Sequence, residues 1–384
     1  MKPPSEPLTG SSSIYWDWNA TTPPHPDVVA AVRSAFEQAW GNPSSQHRAG
    51  RAARALVEGV REQIGRVLGV HSRDVVFVGS GTEANNLALN EARGLVVSRL
   101  DHPSIVRFAE AREAQGLPVV WAPVPEHGRL VPSAVAQSVE ALPAELRARS
   151  TVSVTAVNHE TGVLQDVAGI ADEVHARGAR LHVDAAQALG KLPTALLAGA
   201  DSWTVVAHKI RGPQGVAALG FRGAMPSPVL LGGSQERGLR PGTLSAPLIA
   251  GFGAALDRLD PDRYAALSPL RDRLESALRA HAVVNGESSP RAPHISSLSF
   301  SRWSGERLVA ALDVRGLSVS TGSACRVGTA EPSAVVAAMA GAERARGAVR
   351  VSLGEDATLE QVERAIVLWL SLFHNVAQSP SGAT

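Results

Sequence analysis

Asp184, Gln187 and Lys209 stand within one stretch, from L-H-V-D-A-A-Q (181–187) to V-A-H-K-I-R-G-P (206–213), that sets a carboxylate, an amide and an amine in order. Arg180 to Val183 is a short, partly apolar run and reads as a buried strand that delivers Asp184 and then Gln187 at its C-terminal end. In an open α/β sheet, that end is where ligands bind. After an intervening helix, Ser202 to Ala207 reads as a second strand, ending at His208 and Lys209 before the turn signal Arg211-Gly212-Pro213. Singly, an Asp at a strand end is most often a helix cap and a Lys most often a solvated surface group. Together, with the amine 25 residues beyond the acid, they suit a lysine that condenses with a carbonyl while the acid holds a ring nitrogen protonated.

Other residues of chemical interest lie at further strand ends. Asp74 to Val78 is a compact apolar strand followed by G-S-G-T-E-A-N-N (79–86) and a helical pattern. Small residues there leave backbone N–H groups bare at a helix start, which attracts an anion; an ordinary structural turn has the same composition. No Gly-Lys-Ser/Thr follows, so the turn is not a P-loop. Gly94 to Val97 reads as a strand leading to His102, and Thr151 to Val157 as one ending at Asn158. A Gly-rich loop carrying Arg237, Arg240 and Thr243 is either mobile or anion-binding. Val349 to Gly354 is a strand bearing Arg350, whose plain alternative is an exposed arginine. Cys325 lies in T-G-S-A-C-R-V-G-T (321–329), a segment without apolar periodicity, as suits a thiol on an exposed loop.

Elements must carry these groups. Pro26 to Gln38 reads as a helix capped near Asp27, with Val28, Val29, Val32 and Phe36 on one face. Tyr264 to Val284 reads as a long amphipathic connecting helix, and Ile295 to Phe300 and Arg307 to Leu312 as a strand and a helix of a smaller domain. A chain of 384 residues with 44% apolar content has the size of two domains around a large core. With 37 basic against 36 acidic residues, bulk charge gives no reason for direct nucleic-acid binding. No run approaches about 18 uninterrupted apolar residues, and Met1 to Ser13 lacks the apolar core of a signal peptide. The expectation is a cytoplasmic protein without membrane contact. The single Cys excludes an internal disulfide and a zinc cluster of several thiolates, and no metal site is expected.

V-D-A-A-Q and H-K-I-R-G-P, in this order and spacing, resemble the pyridoxal-phosphate site of the class-V aminotransferase family, and within it the cysteine desulfurases. Further strings agree: D-W-N-A-T-T (17–22), G-N-P-S-S-Q-H (41–47), S-G-T-E-A-N-N, G-G-S-Q-E-R-G-L-R-P-G-T (232–243), G-S-A-C (322–325) and R-V-S-L-G (350–354). The likeness spans roughly Tyr15 to Gly354 and points to the nitrogenase-type and housekeeping-type branch, class I. It implies the α/β architecture of fold type I: a mixed, mostly parallel seven-stranded sheet between helices, over residues 14–259, and a smaller α+β domain over 260–377 that carries the Cys325 loop. Residues 1–13 and 378–384 are expected to be disordered tails.

The same resemblance assigns roles. Lys209 binds pyridoxal 5′-phosphate and moves the substrate proton. Asp184 holds the pyridine nitrogen; His102 stacks on the ring and assists proton transfer; Asn158 and Gln187 reach its phenolic oxygen. Gly81, Thr82 and His208 belong to the cofactor site, and Thr243 reaches the phosphate of the neighbouring subunit, which implies an obligate homodimer. Arg350, with Asn158, binds the carboxylate of L-cysteine, and Cys325 takes the sulfur as a persulfide for a sulfur-acceptor protein of unknown identity. Three departures stand out. Val206 replaces the usual Ser or Thr three residues before the lysine, with Thr204 two positions earlier on the same strand face. Arg326-Val327-Gly328 follows Cys325 where small hydroxyl residues are common. The chain also stops soon after Phe373, without the longer extension that housekeeping relatives dock to a scaffold, and the expectation is an acceptor from another pathway, such as tRNA or DNA sulfur modification or a dedicated biosynthetic route. The competing readings are an aminotransferase or selenocysteine lyase on the same fold, and a non-catalytic scaffold subunit.

Overall fold

The structure is a computed structural model that describes residues 13–223, 225–322 and 332–377, with side chains as far as Phe373. Cys325 and Arg326 lie outside the described residues, as do the segments 1–12 and 378–384. Twelve strands occur among the described residues: β1 (Ile14–Tyr15), β2 (Val75–Val78), β3 (Gly94–Ser98), β4 (Val119–Ala122), β5 (Ser150–Thr155), β6 (Arg180–Asp184), β7 (Ser202–Val206), β8 (Ala217–Phe221), β9 (Val283–Val284), β10 (Ile295–Ser299), β11 (Leu317–Ser318) and β12 (Ala348–Ser352).

Seven of them form one sheet in the order β2-β8-β7-β6-β5-β3-β4. Only β8 runs against its neighbours, pairing antiparallel with both β2 and β7. The remaining pairs are parallel. The strands are short runs such as V-V-F-V in β2, buried at every position, because helices cover both faces of such a sheet and leave no side for polar residues. The expected seven-stranded, mostly parallel α/β sheet is therefore the architecture found. Its parallel strands all end on the same side, and the candidate groups follow those ends: Ser80 after β2, His102 after β3, Asn158 after β5, Asp184 on β6, and His208 with Lys209 after β7.

The second core gathers around the antiparallel sheet β12-β10-β9. The ring of Phe300 stacks on Trp369 at 4.9 Å, and Leu274, Leu308, Leu312 and Val362 fill the space between helices and sheet. Ile14 and Trp16 belong to this core by packing, since β1 pairs in parallel with β11. The first described strand is thus joined to the second core, and the chain enters the larger sheet domain only after it.

Three local expectations change. The helix expected over Tyr264 to Val284 is broken into Pro261–Ala265 and Ser268–Leu278, because Pro269 starts a new helix more readily than it continues one. No α-helix lies between Asp184 and Ser202; a turn from Ala185 and a 3-10 turn at Thr194–Leu197 make the connection, with Gly190 and Pro193 preventing anything longer. The helix Pro26–Gln38 is capped by His25, whose ring accepts from the Asp27 N–H, and Val29 and Phe36 on its expected core face are exposed.

The Gly-rich loop is tied to the sheet by a buried ion pair. Both nitrogens of the Arg61 fork donate to Glu236 at 2.7 Å, and the Phe77 N–H donates to the same carboxylate at 2.7 Å. The tie holds Glu236 and Arg237 at φ values of 48° and 58°, a region that costs a non-glycine residue about 1–2 kcal/mol. Removing one partner strands a buried charge. Arg61→Met should lower stability by about 3–5 kcal/mol, and Arg61→Met with Glu236→Leu should restore most of it; urea unfolding of the single and double variants measures the difference.

Candidate active site

Lys209 ends a 3-10 turn, Ala207–Lys209, that leaves β7. Its shape is set by Ala207, whose carbonyl accepts from Ile210 and Gly212, and by Arg211, held at φ 65° with its N–H donating to Thr22 Oγ1 at 2.8 Å. The amine donates to the carbonyls of Asn19 and, at 2.8 Å, Ala20. Lys209 is therefore no solvated surface group; it is anchored on the segment that follows β1.

Asp184 is 5% exposed. Its carboxylate accepts from Asn85 Nδ2 at 2.9 Å and from the Ala186 N–H at 3.0 Å. Asn85 is oriented in turn by His182, whose Nε2 lies 3.1 Å from Asn85 Oδ1 and whose Nδ1 lies 2.8 Å from Ser202 Oγ. Burial pushes His182 down to about 4, so the ring is neutral at pH 7. An amide oxygen only accepts, which puts the His182 proton on Nε2. That choice turns the Asn85 NH2 group toward Asp184.

His102 caps the helix Pro103–Ala114, its Nδ1 accepting from the Ser104 N–H at 3.1 Å and lying 2.8 Å from Ser104 Oγ. Burial lowers its basicity, with Asp184 opposing and Lys209 reinforcing. The neutral ring thus carries its proton on Nε2. His159 meets it edge-on at 5.3 Å. Its own basicity is driven well down by burial, then by His102, Arg350 and Lys209.

Gly81 and Thr82 open the helix Gly81–Leu89, with Ser80 Oγ accepting from Glu83 N and Glu83 Oε2 accepting from Gly79 N. This end of the site can hold an anion on a helix start. Val206 shapes it: a Cβ on Gly81 would meet Val206 Cγ2 at 2.8 Å, so only glycine fits against that valine. Thr204 offers no substitute hydroxyl, because its methyl faces Gly81 and its Oγ1 lies 3.5 Å from His182 Nε2.

Arg350 is 3% exposed, contrary to the plain reading of an exposed strand arginine. It donates to the His159 carbonyl at 2.9 Å and to Asp17 Oδ1 at 2.6 Å. A cavity of about 620 Å³ is lined by Asn19, Gly81, Thr82, His102, Asp184, Gln187, His208, Lys209 and Arg350, among others. Gln187 bonds the Asn19 carbonyl at 2.9 Å and accepts from Lys191 Nζ at 2.6 Å, and His208 Nδ1 lies 3.1 Å from Thr21 Oγ1.

Two expected site residues stand apart from the wall. Asn158 is 1% exposed; it donates to the Leu100 carbonyl and accepts from Glu160 N and from the N–H and hydroxyl of Thr161, fixing the turn that carries His159. Thr243 is exposed on its loop and does not line the cavity. Residues that sequence reasoning passed over are Asn85, His159, Glu160, His182 and Lys191. The strings S-G-T-E-A-N-N and N-H-E-T-G contain three of them, but nothing in a string says which members turn inward.

The walls suit pyridoxal phosphate. An acid and a helix start stand on one cavity with an amine, and Arg350 Nε, His159 Nδ1 and Asn19 Oδ1 are buried without hydrogen-bond partners among the described residues. No trio of His, Cys, Asp or Glu suited to a metal occurs among those residues, and no helix there is long and apolar enough to cross a membrane.

His182 and His208 both lie near 4, lowered chiefly by burial, against an ordinary value of 6.5. The unfolded chain then binds protons that the folded one refuses. Stability should be complete above pH 6.5 and fall as the pH drops toward 4, by about 1 kcal/mol per pH unit for each ring. Urea unfolding between pH 4 and 7 should show His208→Gln with the shallower slope; parallel slopes would contradict the assignment.

The aminotransferase class-V family model matches residues 14–365. A cysteine desulfurase of Nostoc sp. is 36% identical over 92% of this chain and 91% of its own length. Among solved structures, a protein titled NifS-like covers 94% of this chain and all of its own at a TM-score of 0.85 and 28% identity. SspA in complex with cysteine covers 88% of this chain and 98% of its own at 0.75 and 25%. With its lysine, acid and arginine gathered on one cavity, the chain belongs to the class-V aminotransferase family.

Proposed function

We propose that the protein is a pyridoxal-phosphate-dependent cysteine desulfurase, which takes sulfur from L-cysteine onto Cys325 and releases L-alanine. The observation that carries this reading is the convergence of Lys209, Asp184 and Arg350 on one cavity of about 620 Å³. The cysteine in the SspA structure supports the substrate. Pyridoxal phosphate, when bound, supplies an aldehyde for an amine and a ring that accepts the electron pair of a substrate carbon.

The chain's own groups do the rest. Asp184, steadied by Asn85, would hold a proton on the ring nitrogen of the bound group. Lys209, released from the Asn19 and Ala20 carbonyls, removes the Cα proton and returns it. Neutral His102, on the cavity wall, would lie against the bound ring and hold its proton on Nε2 for transfer. Gln187, and Asn158 through its turn, would support the phenolic edge of the bound group, while Gly81, Thr82 and His208 would hold its phosphate end. Arg350 forks onto the substrate carboxylate, exchanging part of its bond to Asp17 for one to substrate. The Cys325 thiolate then attacks the substrate Sγ. A sulfur–sulfur bond forms as Cβ–Sγ breaks, the electron pair stays with carbon, and protonation there yields alanine. The persulfide passes to an acceptor protein.

A homodimer completes the reading. Thr243 is exposed and contributes nothing to its own cavity, and Phe36, Trp40, Leu230 and Leu231 are exposed apolar side chains, the last at 90%, as an interface between copies requires.

Borohydride treatment of the pyridoxal-phosphate-loaded protein should leave a reduced adduct on Lys209 and none in Lys209→Ala. Cys325→Ser should lose alanine formation while staying yellow; alanine formed at the wild-type rate would favour a transaminase or selenocysteine lyase. Arg350→Lys, which keeps the charge and loses the fork, should raise KM for cysteine about 10- to 100-fold.

A further inference from the structure

Glu160 is 4% exposed and takes no part in the chemistry above, yet two separate stretches of chain end on its carboxylate. Ser333 Oγ donates to Glu160 Oε2, and the same hydroxyl caps the helix Ala334–Ala340 by accepting from Val336 N. Gly322 also lies against Oε2: a Cβ there would come within 2.7 Å of it, and the backbone has φ 90°. Gly322 N also donates to Ser320 Oγ at 3.1 Å, and Ser320 pairs through both backbone bonds with Arg350. Cys325 lies between these two points in the sequence.

The carboxylate is itself immobilised. Asn158 Oδ1 accepts from the Glu160 N–H at 3.0 Å, and His159 Nε2 lies 3.7 Å from Oε1. Burial raises the basicity of the carboxyl, against the hydrogen bond from Ser333 and the charge of Arg350. A buried carboxyl with one hydroxyl donor among the described residues is costly to keep, and stabilisation alone does not call for it at a cavity wall.

We propose that Glu160 is a positioning residue for sulfur transfer: it holds Gly322 and Ser333, which flank Cys325 in the sequence, and so sets the approach of the thiol to substrate. This rests on the desulfurase reading. Glu160 then acts through Cys325 and leaves the proton chemistry of Lys209 unaffected.

The test separates the two steps in one turnover of the loaded enzyme. Stopped-flow absorbance on mixing with L-cysteine reads events at the ring, and mass spectrometry of quenched samples reads one extra sulfur on Cys325. Glu160→Ala should slow persulfide formation by about 100-fold, the cost of a misplaced reacting group, with the first absorbance change within about threefold of wild type. Ser333→Ala, which cuts the same bond from the other side, should act likewise. Glu160→Gln, which can still accept from Ser333, should recover to within about tenfold of wild type. The rate of Cys325 alkylation by iodoacetamide in the cofactor-free protein should change in Glu160→Ala and Ser333→Ala and return in Glu160→Gln. Persulfide formed by Glu160→Ala and Ser333→Ala at wild-type rates overturns the proposal, as does slowing of the absorbance change in step with the persulfide. A wild-type protein that forms no persulfide would instead overturn the desulfurase reading itself.

Discussion

A carboxylate at the end of a buried strand has to be given hydrogen-bond donors, because the interior returns nothing for the water it displaces. Asp184 receives them from Ala186 and Asn85, and Asn85 can face it only because His182 is neutral and presents a proton to the amide oxygen. Ser202, on the next strand, completes the chain. Four side chains from one helix and two strands therefore settle which atom of Asn85 points where. Core packing around them, with Ala84, Leu87, Val205 and Val206 all nearly inaccessible, leaves those groups one arrangement.

The remaining chemistry follows from strand direction. Parallel strands end on one side of a sheet, so residues placed just after β2, β3, β5, β6 and β7 meet there whatever their distance in sequence. Arg350 comes from β12 in the second sheet and lines the same cavity, oriented by the His159 carbonyl and Asp17. Its two bonds hold the guanidinium ready, and Nε, without a partner among the described residues, leaves it short of one acceptor, which is the state in which an arginine gains most from an anionic ligand.

Much of this was legible because strand ends carry compositional marks: an apolar run, then a polar or charged residue, then a turn. Asp184, Lys209, His102 and the Gly81 turn all follow that pattern. What stayed hidden depends on three-dimensional orientation. Asn85 looks like any polar residue of a helix, and its partner His182 is 97 positions away. Asn158 sits in a string that marks the site, yet its amide is spent on the backbone of its own turn. Thr204 shares a strand face with Val206, but its χ1 rotamer, which no sequence shows, gives Gly81 the methyl instead of the hydroxyl. The helix break at Leu267 was visible as Pro269 and was outweighed by the apolar periodicity around it.

The first strand has a temporal consequence. β1 is held by Gly316 and Ser318, and the residues after it by Ser352, while the carbonyls that receive the Lys209 amine belong to Asn19 and Ala20. On the ribosome, the large sheet can assemble and meet Asn19 to Thr22 through His159, Gln187 and His208 while the partners of β1 are still unmade. Its bonds to the second sheet form only when residue 352 emerges, on the order of ten seconds after residue 209 at ordinary rates of synthesis. The earliest-made part of the chain is among the last to find its place, so a nascent protein cannot present a finished lysine pocket before both domains exist.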